Sequence, residues 1–229
     1  MNGPGKNILF VIDYDGTLAR EDRPVEEAVS SSIAFLKEKY GFKLVLATAR
    51  PLSDIERYTK VDLFDALSLE LGSLIHLPPV EIIVFKPKWW NILVKRISKE
   101  VPAVNVGEVL YYFDETHLKN ARSTFEAIGS EFAVEIKKVG SRTHVFAPRG
   151  LDKGVGLSRL LRLTGWSNFY TVAIGDSPSD LPLFRVANFK IAVANAAEEL
   201  KAEADLVTDN PYGEGVLEGL KKILEKKIG

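Results

Sequence analysis

The 229-residue sequence contains no cysteine, no glutamine and a single methionine. Without cysteine the chain can form no disulfide, no thiolate zinc site and no cysteine nucleophile. It also lacks an uninterrupted apolar run of about 18 residues, which a membrane-spanning helix needs, and a signal-type apolar N-terminus. These absences predict a protein of the reducing cytoplasm that has no membrane partner.

The chain also lacks an excess of charge of either sign. The 30 lysine and arginine residues nearly balance the 31 aspartate and glutamate residues, so no overall field would recruit nucleic acid or an anionic membrane. Depletion of thermolabile residues beside abundant Lys, Arg and Glu is typical of hyperthermophile proteins. We therefore hypothesise a thermophilic source, which a melting temperature in the mesophile range of about 45–65 °C would contradict.

Short apolar segments alternate with amphipathic segments along the first and last thirds of the chain. Strands are predicted at 8–13, 43–48, 66–70, 171–176, 189–195 and 205–209. Helices are predicted at 25–39, from 52, at 153–163, 179–186 and 196–203, and from 213. The helix at 25–39 is expected to bury Ala28, Ile33 and Leu36. Strands that are apolar on both faces and alternate with helices predict an α/β core with a parallel sheet covered on both sides.

The middle third has a different pattern. A hairpin is expected between 73–77 and 80–85, with the Pro-Pro pair as its turn. Beyond it the pattern predicts helices at 89–99 and 115–128, and strands at 108–113, 132–139 and 143–147. This α+β insert of roughly 65 residues has the size of a small domain. The predicted domains are a core at 1–85 and 150–229 and an inserted α+β domain at 86–149.

The segment "FVIDYDGTL" (10–18) ends a predicted buried strand on two carboxylates, Asp13 and Asp15. Like charges this close repel each other and raise each other's pKa unless a cation lies between them. In a parallel sheet, ligands bind beyond the carboxyl ends of the strands. Thr48 and Asp176 also end predicted strands, although each alone is equally well explained as a helix cap or a turn residue.

The segment "GDSPSD" places Asp180 one helical turn after Asp176. Together with Asp13 these carboxylates form a set of hard oxygen ligands suited to Mg²⁺. Such a cation would also offset the repulsion between Asp13 and Asp15. In "LDKGVGL", Lys153 begins a predicted helix where its ammonium could meet a phosphate, although a solvated surface lysine is the simpler interpretation of that residue alone.

In order and spacing, "DYDGTL", "LVLATAR", "LDKGVGL" and "AIGDSPSD" resemble the four motifs of the haloacid dehalogenase superfamily. More narrowly, the chain resembles its Cof-type hydrolases, whose α+β cap is inserted after the second motif. In length and cap size it is similar to the group of archaeal phosphoglycolate phosphatases and sucrose-phosphate phosphatases. The resemblance implies a Rossmann-like parallel core with an inserted cap.

The same resemblance implies a Mg²⁺-dependent phosphatase that acts on a small phosphorylated metabolite, 2-phosphoglycolate first. Asp13 would be the nucleophile that forms an aspartyl-phosphate, and Asp15 would be the general acid and base. The phosphate-binding residues would be Thr48 and Lys153. The expected metal site comprises Asp13, Asp15, Asp176 and Asp180.

Other functions stay open at this point. A sugar-phosphate phosphatase of the sucrose- or mannosyl-phosphoglycerate type, or a phosphomutase, would need the same carboxylates. From a different class, the chain could be a non-catalytic phosphate-binding module. A carboxylated substrate would need a cation besides Lys153, and Arg20, Arg50 and Lys86 are candidates for it.

Overall fold

The computed structural model describes residues 7–128 and 131–228, and it divides the chain into two compact units. The core unit comprises Met1–Ile82 and Asp152–Gly229, and the inserted unit comprises Ile83–Leu151. The domain boundaries predicted from the sequence lie at 85/86 and 149/150.

The secondary structure alternates between strands and helices in the core unit. In chain order the strands are β1 (Ile8–Ile12), β2 (Lys43–Ala47), β3 (Ala66–Leu69), β4 (Leu74–Leu77), β5 (Glu81–Val84), β6 (Asn105–Val106), β7 (Tyr111–Asp114), β8 (Val134–Lys138), β9 (Thr143–Pro148), β10 (Tyr170–Gly175), β11 (Phe189–Ala192) and β12 (Leu206–Val207). The helices are α1 (Glu27–Tyr40), α2 (Leu52–Tyr58), α3 (Trp90–Ile97), α4 (Leu118–Ile128), α5 (Lys153–Thr164), α6 (Leu181–Val186), α7 (Glu198–Glu203) and α8 (Tyr212–Ile228).

Within the described residues, the core sheet has eight strands in the order β12-β11-β10-β1-β2-β3-β4-β5. Neighbouring strands are parallel from β12 to β3, and β4 is antiparallel to β3. All five residues of β1 are buried and apolar, as expected of a strand whose two faces are both covered. The predicted α/β core with a parallel sheet is confirmed.

The first helix differs from its prediction in start and in buried face. It begins at Glu27 rather than 25, and the Val25 N–H instead donates to the Tyr58 carbonyl at 3.1 Å. Its buried residues are Val29, Ile33 and Leu36. The prediction that Ala28 is buried is wrong: Ala28 is exposed, because neighbouring helix positions point about 100° apart and Val29 takes the inward direction.

The inserted unit has an antiparallel sheet in the order β6-β7-β9-β8. Its apolar core joins Trp90 and Leu93 of α3 to Tyr111, Phe113 and Phe146 of the sheet. Of the strand predicted at 108–113, residues 111–113 lie in β7, and β6 lies before the predicted segment. A Gly107 N–H to Leu110 carbonyl hydrogen bond of 2.9 Å closes the turn between β6 and β7, so residues 108–110 belong to that turn.

Of the helices in the described part of the chain, none has both the length and the apolar character needed to cross a bilayer. The cytoplasmic location stays a prediction.

Candidate active site

Three polar side chains lie at neighbouring strand ends of the core sheet. Asp13 follows β1, Thr48 follows β2 and Asp176 follows β10, and β1 lies between the other two strands. Main-chain hydrogen bonding continues past these ends, because Asp13 N–H donates to the Ile174 carbonyl at 3.1 Å and Thr48 N–H to the Ser68 carbonyl at 3.0 Å. The sheet itself therefore positions these residues, as the sequence predicts for the carboxyl ends of parallel strands.

Lys153 is the first residue of α5 and joins two of the carboxylates. Its Nζ donates to Asp13 Oδ1 at 2.6 Å and to Asp180 Oδ1 at 2.7 Å, and its side chain is 5% exposed. Burial alone would lower the pKa of Lys153, but the attraction of Asp13 and Asp180 outweighs it and raises that pKa. The side chain therefore remains a buried ammonium at neutral pH, which excludes the interpretation of Lys153 as a solvated surface lysine.

Asp180 is fully buried in a short 3₁₀ turn, Pro178–Asp180, that leads into α6. Its Oδ2 accepts hydrogen bonds from the Asp176 and Ser177 N–H groups at 3.1 and 3.2 Å. A Cβ at Gly175 would lie 2.6 Å from Asp180 Cβ, so glycine at that strand end lets the carboxylate approach the backbone.

Asp13, Asp176 and Asp180 form the carboxylate cluster. Each offers an oxygen, and these atoms all lie within 4.8 Å of one another. Burial and then the charge of Asp180 raise the pKa of Asp176 to about 6, and the same two causes raise the pKa of Asp13 well above its usual value. Three carboxylates against one ammonium leave an excess of negative charge on hard oxygen donors, so the cluster fits a Mg²⁺ ion.

The turn after Asp13 packs directly against this cluster. Gly16 has a φ of +81°, and a Cβ there would lie 2.2 Å from Asp176 Oδ2, so a side chain is excluded by both conformation and space. Thr17 Oγ1 lies 3.1 Å from Asp176 Oδ1 and 3.4 Å from Asp13 Oδ2. Sequence reasoning missed Thr17, because a threonine after Asp-Gly is equally typical of an ordinary turn.

Asn195 also holds this turn and was missed. Its Nδ2 donates to the Gly16 carbonyl at 2.8 Å, and its Oδ1 accepts from the Tyr212 N–H at 2.9 Å. The side chain therefore contacts both the Asp13 turn, 179 residues away in sequence, and the first residue of α8. No local pattern could have indicated such a contact.

Asp15 is placed apart from the carboxylate cluster. Its Oδ2 accepts from Arg50 Nε at 2.6 Å and its Oδ1 from Arg50 Nη2 at 2.7 Å, a bidentate pair of the kind that adds geometric specificity. Among the described residues, the group that could jointly hold a metal ion is Asp13, Asp176 and Asp180. The metal role expected of Asp15 stays a prediction.

Thr48 completes the set of expected site residues. It is 2% exposed, and its Oγ1 accepts a hydrogen bond from the Arg50 N–H at 3.1 Å. Its carbonyl accepts from the Leu71 N–H at 3.2 Å, within the turn Glu70–Gly72. All three residues of that turn have positive φ, between 50° and 83°, which is strained for Glu and Leu and is the kind of backbone found beside functional sites.

The three candidate cations have different surroundings. Arg50 forms the bidentate pair with Asp15. The Arg20 guanidinium lies 4.3 Å from the centroid of the Tyr212 ring. Lys86, in the inserted unit, pairs with Glu108 at 2.7 Å. Arg50 is therefore the candidate whose contact with an expected site carboxylate the structure records.

Replacing Asp176 by Asn should stabilise the metal-free protein. The pKa of Asp176 is about 6 in the native state and near 3.8 in the unfolded state. The ionised form of Asp176 therefore lowers the free energy of unfolding, fully above about pH 6 and not at all below about pH 4. We expect Asp176→Asn to add about 1–2 kcal/mol at pH 7, after allowance for its partial exposure. Thermal melts in EDTA from pH 4 to 8 measure this, and Mg²⁺ should raise the Tm of the wild type but not of the variant.

Asp65→Asn is a control whose stability should change in the opposite direction. Burial opposes ionisation there, but Lys43 and Lys37, at 2.8 and 2.9 Å, lower the pKa of Asp65. Its substitution should destabilise the protein at pH 7 by about 1–3 kcal/mol. A melting temperature that falls for both variants would contradict the charge-crowding account of Asp176.

Known proteins are similar to this chain in sequence and in fold. The sequence profile of the haloacid dehalogenase-like hydrolases matches residues 10–84 and 90–220. Phosphoglycolate phosphatase 2 of Saccharolobus solfataricus is 35% identical over 229 residues, covering 97% of this chain and 94% of that protein. Phosphoglycolate phosphatase 1 of the same organism is 43% identical over 234 residues, covering 95% and 96%. A haloacid dehalogenase-like hydrolase structure from Bacteroides thetaiotaomicron shares the fold, with a TM-score of 0.77 at 21% identity and coverage of 94% and 98%.

Proposed function

This chain belongs to the haloacid dehalogenase-like hydrolases and is a phosphatase, and from that premise we propose that it hydrolyses 2-phosphoglycolate to glycolate and phosphate with Mg²⁺. The observation that carries the proposal is the buried Asp13 carboxylate at the end of β1, bound by Lys153 and adjacent to Asp176 and Asp180. Two similar proteins named phosphoglycolate phosphatase support the substrate. The domain division with residues 86–149 as the cap is part of this proposal.

The metal ligands in this proposal are Asp13, Asp176 and Asp180. When bound, the ion would offset the charge of the carboxylates and of the phosphoryl group. The side chain of Asp15 would join these ligands only if its pair with Arg50 opened.

Asp13 acts as the nucleophile. One carboxylate oxygen attacks phosphorus, the bond from phosphorus to the glycolate oxygen breaks, and an aspartyl-phosphate forms. Lys153 and Thr17 hold the carboxylate in one orientation. The Lys153 ammonium and the Thr48 hydroxyl are the groups that would bind phosphoryl oxygens, which is the positioning that phosphoryl transfer mainly requires.

Asp15 acts as the general acid and base. In the acid role one carboxyl oxygen of Asp15 is released from its Arg50 hydrogen bond and carries the proton that goes to the departing glycolate oxygen. The resulting carboxylate then takes a proton from the water that attacks the aspartyl-phosphate, which restores the protonated form. Phosphate leaves and Asp13 is regenerated. Arg50, with two hydrogen bonds to the Asp15 carboxylate, is the group that orients it.

A phosphate-release panel tests the proposed substrate. The purified protein is assayed with 2-phosphoglycolate, sucrose- and mannosyl-type phosphates and simple alkyl phosphates, first with Mg²⁺ and then with EDTA. We expect kcat/KM for 2-phosphoglycolate to exceed the others by at least about tenfold, a difference of about 1.4 kcal/mol in transition-state binding, and EDTA to abolish turnover.

The alternatives predict different profiles in the same panel. Preference for a sugar phosphate would assign the enzyme to sugar-phosphate hydrolysis, and transfer of phosphate between sugar positions would identify a phosphomutase. Absence of phosphate release would fit a phosphate-binding module. Each of these results contradicts the proposed function.

A further inference from the structure

Three carboxylates of the core unit surround the single guanidinium of Arg50. Besides the Asp15 pair, Nη2 donates to Asp22 Oδ1 at 2.5 Å, and Nη1 lies 3.6 Å from Asp54 Oδ2. Asp54 also lies 3.9 Å from Nη1 of Arg57, so a second cation shares that carboxylate, whereas Asp15 and Asp22 both depend on Arg50. Of these carboxylates, the one that the fold constrains least should be exchangeable for another anion.

Arg50 itself is held in place from several sides. Its guanidinium lies 5.0 Å from the Tyr58 ring centroid and 6.0 Å from the Tyr14 ring centroid. Tyr14 is buried, and its hydroxyl donates to the Arg23 carbonyl at 2.9 Å. The side chain of Arg50 is only 16% exposed, so its donors keep their directions when a partner changes.

Asp22 is the exchangeable carboxylate. Its side chain is 71% exposed, against 22% for Asp15 and 20% for Asp54. It lies on an exposed turn at 20–24 and has a φ of +56°, a conformation that Asp tolerates better than most residues. The Asp22 N–H donates to Asp15 Oδ1 at 3.3 Å, so the backbone of the turn is tied to Asp15. Asp22 can therefore leave Arg50 by a rotation of its exposed side chain, without a movement of the turn or of the buried sheet.

We propose that Asp22 occupies, in the substrate-free protein, the place of the substrate carboxylate, and that Arg50 Nη2 binds that carboxylate during turnover. This inference rests on the proposed function. Arg50 would then be the residue that distinguishes carboxylated phosphates from neutral ones.

The geometry of Nη2 supports the exchange. This one nitrogen contacts both Asp15 Oδ1, at 2.7 Å, and Asp22 Oδ1. The leaving oxygen of the substrate must reach Asp15 to receive its proton. In 2-phosphoglycolate a single methylene joins that oxygen to the carboxylate, so a substrate placed for proton transfer brings its carboxylate within reach of Nη2.

The exchange would favour the correct substrate and disfavour others. A carboxylated substrate replaces one charge-assisted hydrogen bond of Nη2 by another of the same kind. A phosphate with a neutral group in that place either competes with Asp22 unsuccessfully or leaves Nη2 without its second carboxylate. Discrimination of this kind arises because the wrong substrate leaves a charged hydrogen-bond donor of the site without a partner.

Steady-state kinetics of the full chain test the inference with 2-phosphoglycolate and 2-hydroxyethyl phosphate, in which a hydroxymethyl group replaces the carboxylate. For Asp22→Asn we expect the KM for 2-phosphoglycolate to fall about three- to fivefold, because an exposed competing pair is removed. The KM for 2-hydroxyethyl phosphate and both kcat values should not change. Glu26→Gln, an exposed residue whose side chain makes no cap hydrogen bond, is the charge-matched control and should behave as wild type.

Arg50→Lys provides the second arm. A lysine cannot present the planar fork that binds two carboxylates at once, so the ratio of kcat/KM between the two substrates should fall by about tenfold or more. Both kcat values should also fall, because Asp15 loses its orientation, and the ratio separates this effect from specificity. An unchanged ratio would assign Arg50 to orienting Asp15 alone and overturn the inference.

The outcomes also separate this inference from the proposed function. A wild type without preference for 2-phosphoglycolate overturns both. A wild type that prefers it, combined with an Asp22→Asn variant whose KM values are unchanged or shift equally for both substrates, overturns the inference alone.

Discussion

Replacement of Asp13 by Asn should abolish turnover while leaving the protein folded. The amide has nearly the same shape, but it is a poor nucleophile and removes one charge from the carboxylate cluster. We expect kcat to fall by at least about 10⁴-fold, which corresponds to about 5.5 kcal/mol of activation free energy. The measurement is phosphate release from 2-phosphoglycolate and p-nitrophenyl phosphate with Mg²⁺, together with a thermal melt of each protein.

The stability of Asp13→Asn should not fall with its activity. Burial and the neighbouring Asp180 raise the pKa of Asp13, so its charge is unfavourable in the metal-free native state and the amide should not lower the Tm. Asp65→Asn is the matched control, because it should lose stability and keep its turnover within about twofold. Turnover of Asp13→Asn within about tenfold of wild type would refute the covalent mechanism.

Replacement of Asp15 by Asn should separate the two chemical steps. With alkyl phosphates the rate should fall by about 10²- to 10⁴-fold, the usual contribution of proton transfer. With p-nitrophenyl phosphate the leaving group needs no proton, so one equivalent of p-nitrophenol should be released in a burst. Slow turnover should follow, because the attacking water has lost its base. Rapid-mixing absorbance measures the burst, and mass spectrometry of the quenched protein measures the phosphoryl group on Asp13.

Asp54→Asn controls for the loss of a carboxylate beside Arg50. Asp54 lies 3.6 Å from Arg50 Nη1 but has no part in proton transfer, so its variant should show no burst and nearly normal turnover. Asp15→Asn with wild-type activity on alkyl phosphates would remove Asp15 from the acid and base role.

Much of the core fold could be predicted because its signal is local and periodic. A strand such as β1 that is buried on both faces is apolar at every position, and helices between such strands imply parallel neighbours. The predicted buried face of the first helix was wrong because two adjacent apolar residues could each have pointed inward. Ala28 and Val29 are adjacent apolar residues on one helix, and only packing determines which of them is buried.

The carboxylate cluster was also predictable, for a related reason. Asp13 and Asp176 immediately follow buried strands, so the parallel sheet brings them to one edge whatever the details of packing. Asp180 follows from its spacing to Asp176. Asp15 shows the limit of this reasoning, because its side chain turns to Arg50 and lies outside the carboxylate cluster.

By itself the sequence determined the alternation of strands and helices, and with it the strand ends that carry Asp13, Thr48 and Asp176. Only the tertiary structure decided the partners of these groups: Lys153 between two carboxylates, Asn195 on the Gly16 carbonyl, and Arg50 among Asp15, Asp22 and Asp54. The physical reason is the distance in sequence over which each kind of interaction acts. Strand and helix formation follows from the spacing of neighbouring residues, whereas a hydrogen bond or an ion pair between segments far apart in sequence depends on where the whole chain places two side chains.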